Sequence, residues 1–329
     1  MNTVIATGHM MRCISIADAA RELGEETVFI LADNNAVELL ENKKYSYIVM
    51  NTKWNDMQSE LSVLKSIILE RKISCLLIDS YQVTVDYLQT LKEITKIYYI
   101  DDLNSFIYPV DGIICYANYY KKFDYPKHYS GCKLCLGVEY VPLRKEFANC
   151  EKKVIKDQVE NLLLLSGGSD NYHFLLRLTS KIDASKYKRI DVICGKYNVD
   201  YEQLCVECSM HPNIYIQRNT TEIKKYMEQA DLIISAGGTT LYEACAVGTP
   251  TLSYSMVDNQ LDNVRQFSED GIMDYAGDIR YENVIENMNA LLENYHYNKS
   301  LRMKKSIRMQ KLIDGNGALR VAKMLIEEY

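Results

Sequence analysis

Proline is scarce in this chain, five in 329 residues, which leaves no room for a Pro-rich linker, and no short repeat or low-complexity tract is present. No apolar run approaches the roughly 20 residues needed to span a bilayer, so integral membrane association is not expected. The start, Met1-Asn2-Thr3-Val4, lacks the charged and apolar regions of a secretory signal. Ten cysteines without such a signal read as reduced thiols in a cytoplasmic protein. Basic residues are not in excess: 38 Lys and Arg against 44 Asp and Glu leave a net charge of −6, which argues against general nucleic-acid binding. No Gly-x-Gly-x-x-Gly fingerprint follows any apolar run and no Gly-Lys-Ser/Thr completes a Walker loop, which sets aside nicotinamide redox chemistry and P-loop phosphate binding. The two Cys-x-x-Cys spacings, Cys132 with Cys135 and Cys205 with Cys208, fall in different halves without a second pair at zinc-ribbon spacing, so no metal site is expected. His128, His173, His211 and His296 have no partner visible in the sequence and read as surface or satisfied core residues.

What is present is an ordinary globular composition, 47% apolar and 25% charged, in a length that suits two domains of about 150 residues. Short apolar runs rich in branched residues predict strands at 27–32, 47–50, 75–79, 97–101, 112–116, 160–166, 189–194, 213–217, 232–236 and 250–254. Amphipathic helical patterns lie between most of them, as with Cys13, Ile16, Ala17, Ala20 and Leu23. Strands alternating with helices predict parallel sheets, and runs such as Leu162-Leu163-Leu164-Leu165 fit strands covered on both faces. The fold class is therefore α/β. The charge-rich stretch from Lys145 to Gln158 divides the chain into domains at 1–150 and 151–329, each Rossmann-like and the two facing a cleft. Near the C-terminus Lys299, Arg302, Lys304, Lys305, Arg308 and Lys311 make one basic stretch, read as a solvated helix face, with membrane-surface or phosphate contact as the alternative.

Ligands of such folds bind beyond the carboxyl ends of the strands, and four places there carry chemistry. Gly8-His9-Met10-Met11-Arg12 runs into the first helix; Gly8 permits close backbone approach, and His9 is either a general base or a capping histidine. Asp79-Ser80-Tyr81 follows a strand and offers a carboxylate and a phenol, or merely caps the next helix; Asp101-Asp102 repeats the arrangement one unit later. Gly167-Gly168-Ser169-Asp170 is a phosphate or ribose loop, or a plain tight turn. Gly237-Gly238-Thr239-Thr240 leads a strand into a helix with Glu243 one turn inside, a start able to hold a diphosphate on N–H and hydroxyl donors while Glu243 accepts from a ribose. Asn259 and Gln260, at another helix start, reach a sugar or phosphate, or serve as caps.

Taken in order, Gly8-His9-x-Met11-Arg12, Asp79-Ser80-Tyr81, Asp101-Asp102, Gly137-x-Glu139-Tyr140-x-x-Leu143-Arg144-x-x-Phe147, Gly167-Gly168-Ser169-Asp170, Ala236-Gly237-Gly238-Thr239-Thr240-x-x-Glu243 and Asn259-Gln260 make an ordered set. On that set the chain resembles, over essentially its whole length, the UDP-sugar hydrolases of the pseudaminic-acid pathway in the spore-coat polysaccharide biosynthesis group. More distantly it is similar to the glycosyltransferase that completes the peptidoglycan lipid precursor. The resemblance implies a GT-B fold with the nucleotide held mainly by the C-terminal domain and the last helix packing back on the N-terminal one. It implies attack of water on the anomeric carbon of a UDP-linked diacetamido-trideoxy sugar, without cofactor or metal. His9 would activate water, Tyr81 and Asn259 would position substrate, and Arg12 and Asp79 would orient the catalytic group. Gly238, Thr239 and Thr240 would hold the diphosphate and Glu243 the ribose. The family has a first strand before its Gly-His motif, and with seven residues ahead of Gly8 that strand is expected to be missing or shortened. A GT-B glycosyltransferase and a non-catalytic nucleotide-sugar binder are the alternatives, and a monomer is expected.

Overall fold

The computed structural model describes residues 8–281 and 283–327. The expectation of a missing or shortened first strand falls on the residues before Gly8, which lie outside the described residues. The chain divides into two compact units, one made of Met1–Lys145 with Asn316–Tyr329 and the other of Glu146–Gly315.

In the first unit, β1 (Val28–Leu31) pairs in parallel with β2 (Ser46–Val49). A separate parallel sheet runs in the order β3 (Cys75–Ile78), β4 (Lys96–Ile100), β5 (Gly112–Cys115), β6 (Lys133–Leu136). Local chemistry starts the helices that return the chain between strands. Thr84, for example, is an extended N-cap whose hydroxyl accepts from the Tyr87 amide, and the helix Val85–Lys92 then buries Tyr87, Leu88 and Leu91. Those side chains join Ile78, Ile97, Tyr99 and Ile113 in the main core of the unit. The helix Gly8–Glu22 buries Ile14 and Ala17 with Leu40 and Tyr45 in a smaller cluster, against which Phe29 and Leu31 of β1 pack. The final helix, Gly317–Ile326, belongs to this unit and packs along Gly8–Glu22.

The second unit holds β7 (Asn161–Leu165), β8 (Arg189–Cys194), β9 (Ile214–Arg218), β10 (Leu232–Ala236), β11 (Thr251–Ser255) and β12 (Asp274–Asp278). They form one parallel sheet in the order β12-β11-β10-β7-β8-β9. This is a doubly wound arrangement whose winding reverses between β7 and β10, so the crevice outside those two strands is its topological switch point. Leu162 to Leu165 are buried in β7, as the continuous apolar run requires, and Leu162 and Leu164, on one face, pack with Ile234, Leu252, Tyr254 and Phe174.

Each predicted strand is present to within two residues at either end. β12 was not predicted, and it lies at a sheet edge, as does β6. β12 reads Asp-Tyr-Ala-Gly-Asp, without an apolar run, and its pairing with β11 shifts register between Ser253 and Ser255. The reading of the basic stretch also needs correction. It forms the helix Lys299–Leu312, but Arg302 and Lys305 are buried in it. Arg302 donates to the carbonyls of Tyr295, Lys156 and Asp157, and Lys305 reaches Asp274 at 2.5 Å. These two cations hold loops and β12 in place, and only Lys299, Lys304, Arg308 and Lys311 are solvated.

Candidate active site

In the first unit the carboxyl ends of β3, β4 and β5 bring Asp79, Tyr81, Asp102 and Tyr116 together. The helix Gly8–Glu22 adds His9 and Arg12, three apart and hence on one face. Nδ1 of His9 lies 2.7 Å from Oδ1 of Asp79. Arg12 donates Nε to Oδ2 of Asp79 at 2.6 Å and Nη2 to Oδ1, a two-pronged pair in which both side chains are buried. Nη1 of Arg12 donates to the Tyr116 hydroxyl at 2.6 Å and stands 3.8 Å from Oδ2 of Asp102. The Tyr81 hydroxyl donates to the same Asp102 oxygen at 3.0 Å, and the Tyr81 ring meets the His9 ring edge to face with centroids 5.0 Å apart.

The charges follow from this packing. Burial alone would raise the Asp79 carboxyl, but the Arg12 charge and the bonds from Arg12 and His9 outweigh it and hold the group down to about 2. An ionised carboxylate only accepts, so Nδ1 of His9 carries a proton toward Asp79. Nη2 of Arg12, 3.1 Å from the same nitrogen, is then a neighbour and not a donor to it. Nε2 of His9 has no hydrogen bond among the described residues and is the atom left to accept a proton. Asp102 differs: burial pushes its carboxyl up, against the pull of Arg12 and the bond from Tyr81.

In the second unit the loops after β7 and β10 flank the switch point, with Leu165 and Ser235 in register on adjacent strands. Glycine has two different functions here. A Cβ on Gly237 would lie 2.5 Å from Cγ1 of Val264, and one on Gly195 would strike the carbonyl oxygens of Gly167 and Gly168, so those two glycines are required by packing. Gly168 and Gly238 have ordinary φ angles and nothing within 4 Å of a Cβ, as does Gly8 in the first unit. The protein itself does not demand glycine at these three positions; close approach of a ligand would. Thr239 stands at the N-cap position of the helix Thr240–Val247 without making a cap bond, so its exposed hydroxyl is not spent on its own helix. Glu243 is half-buried one turn inside. Gln260 accepts from the Met256 amide at 3.0 Å through Oε1, a local bond at the start of the helix Asp258–Glu269, and Asn259 beside it is exposed. Ser169 is half-buried in the β7 loop, whose Asp170 caps the next helix by accepting from the amides of Phe174 and Leu175.

Sequence reasoning missed the supports of both sites. Nδ2 of Asn263 donates to the Gly237 carbonyl at 3.0 Å and its Oδ1 accepts from the Tyr242 hydroxyl at 2.7 Å, pinning the glycine loop from the helix behind it. Tyr116 was also missed, although its place directly after β5 is a signal of the kind that picked out Asp79. His173 has a partner after all, Asp200 at 2.8 Å. Buried His296 leaves Nδ1 without a hydrogen bond among the described residues, so it is not the satisfied core residue expected.

Each unit is a Rossmann-like α/β domain built on parallel strands, and the fold matches that of solved GT-B glycosyltransferases. Residues 162–314 match the glycosyltransferase family 28 C-terminal domain. MurG of Acinetobacter baumannii shares the fold, with a TM-score of 0.67 at 13% identity over 98% of this chain and 97% of its own. The spore coat polysaccharide biosynthesis protein SpsG of Bacillus subtilis is 24% identical over 98% of this chain and 94% of its own length. The UDP-2,4-diacetamido-2,4,6-trideoxy-beta-L-altropyranose hydrolase of Campylobacter jejuni is 26% identical over 60% of this chain and 72% of its own.

Proposed function

We propose that this chain hydrolyses a UDP-linked diacetamido-trideoxy sugar at its anomeric carbon, releasing UDP and the free sugar for surface-polysaccharide or nonulosonic-acid biosynthesis. The observation that carries the proposal is the His9, Asp79 and Arg12 arrangement. It fixes the imidazole with its proton on Nδ1 and leaves Nε2 as a base. In the reaction Nε2 of His9 takes a proton from water as the water oxygen bonds to the anomeric carbon. The bond from that carbon to the β-phosphate oxygen breaks, and its electron pair leaves with UDP. Asp79 remains ionised and offsets the imidazolium that forms. The second unit supplies the nucleotide cradle. Backbone N–H groups around Gly238 and the hydroxyls of Thr239 and Thr240 meet the leaving diphosphate, Glu243 accepts from the ribose, and Gly167, Gly168 and Ser169 complete the loop across the switch point. Tyr81, Asn259 and Gln260 contact the sugar or its phosphate.

The family 28 match over residues 162–314 favours a second reading, glycosyl transfer, in which an acceptor hydroxyl stands where water does. UDP release from a panel of UDP-diacetamido-sugars, with no acceptor added, separates the two. Hydrolysis predicts release under those conditions, and transfer predicts release only when an acceptor is supplied.

A further inference from the structure

Asp102 makes an unusual use of its two oxygens. Oδ1 is buried and has no hydrogen-bond partner among the described residues. Oδ2 takes the Tyr81 hydroxyl at 3.0 Å, with Nη1 of Arg12 further off at 3.8 Å. Oδ1 is shielded from solvent, Oδ2 takes the Tyr81 proton, and the Asp102 side chain as a whole is 24% exposed. Tyr81, by contrast, is 42% exposed and stands edge to face with His9.

A tyrosine hydroxyl has one proton and two lone pairs. With the proton committed to Asp102, only lone pairs face outward. We infer that Asp102 is a positioning residue that fixes the Tyr81 hydroxyl as a hydrogen-bond acceptor, so the substrate group it meets is an N–H or O–H donor. This rests on the proposed function for the identity of the substrate, and there an acetamido N–H or a sugar hydroxyl is the matching group. A buried acceptor without a partner is costly, and here it accompanies a carboxylate placed to direct a neighbour's proton. Oδ2, which takes the Tyr81 proton, also faces Nη1 of Arg12 at 3.8 Å, and Arg12 in turn binds Asp79; Asp101 precedes Asp102 in the chain, and the Tyr119 hydroxyl donates to the Asp102 carbonyl at 3.3 Å. The alternative is therefore that Asp102 acts on the site through Arg12 and not through Tyr81.

Two measurements decide between them. In protein carrying tyrosine labelled with 13C at Cζ, the resonance lost in Tyr81→Phe is that of Tyr81. It should shift in Asp102→Ala, and in the isosteric Asp102→Leu should the first not fold, and return toward its parent position in Asp102→Glu. An unshifted resonance overturns the pairing, whatever the protein turns over. The second is a double-mutant cycle on UDP release from the best substrate of the panel. Asp102→Ala should lower kcat/KM by about tenfold in the parent and by no more than about twofold in Tyr81→Phe. Losses that add across the cycle would assign Asp102 to Arg12 and refute the inference. A parent that releases no UDP would count against the hydrolase reading alone, because the resonance still judges the pair.

Discussion

Nδ1 of His9 lies 2.7 Å from a carboxylate oxygen of Asp79, and Arg12 holds the same carboxylate from its other side at 2.6 Å. Asp79 thus has two functions at once. It compensates a buried guanidinium, and it fixes which imidazole nitrogen carries the proton. The first is a stability role and the second belongs to the proposed reaction, and they have separate signatures.

The stability role is pH-dependent. The folded carboxyl sits at about 2, below the roughly 3.9 of an unfolded chain. Its contribution, about 2 kcal/mol, is present above about pH 4 and is lost as pH falls from there toward 2. Asp79→Asn leaves Arg12 buried without its counter-charge and should destabilise the protein by about 3 kcal/mol at pH 7. Denaturant melts from pH 7 to pH 3 should show the parent falling toward the variant. A constant gap across that range would mean the carboxyl is not depressed.

The adjacent glycines of the β10 loop should fail in opposite ways. Gly237→Ala pushes a methyl into Val264 and should cost about 1–3 kcal/mol. Gly238→Ala enters open space and should leave the melting temperature unchanged while weakening UDP binding by about tenfold or more. Calorimetry of both variants, with and without UDP, checks the contrast. Unchanged UDP affinity in Gly238→Ala would remove the argument for a ligand over that glycine.

Asn263 should link stability to binding without touching a ligand. Asn263→Ala removes the bonds to the Gly237 carbonyl and the Tyr242 hydroxyl, and should cost about 1–3 kcal/mol. Because the loop it releases carries Gly238, UDP affinity should fall as well. A variant that is destabilised but binds UDP as the parent does would confine Asn263 to a packing role.

Much of this was legible in the sequence, for identifiable reasons. Central strands such as β7 and β10 are covered on both faces, so Leu162 to Leu165 and Leu232-Ile233-Ile234 announce themselves as apolar runs. Edge strands carry no such obligation. β12 reveals itself only through its partners, Lys305 and Tyr295 on Asp274 and Arg280 on Asp278. The same division holds for the sites. Strand-end residues such as Asp79 and Gly238 could be found by position, since parallel sheets direct their carboxyl ends to ligands. Asn263 lies on a helix whose contact with Gly237 exists only once the unit has folded. The burial of Arg302 and Lys305 within a run of six basic residues was likewise invisible, because sequence shows charge and not which carbonyls await it.

The measurement that most directly tests the account is UDP release from the UDP-diacetamido-sugar panel, without acceptor, by the parent and by His9→Ala. The parent should release UDP with at least one member of the panel. His9→Ala should lose release while binding UDP as tightly as the parent. Equal release by the two proteins would contradict a base at His9, and binding without release by the parent would contradict hydrolysis.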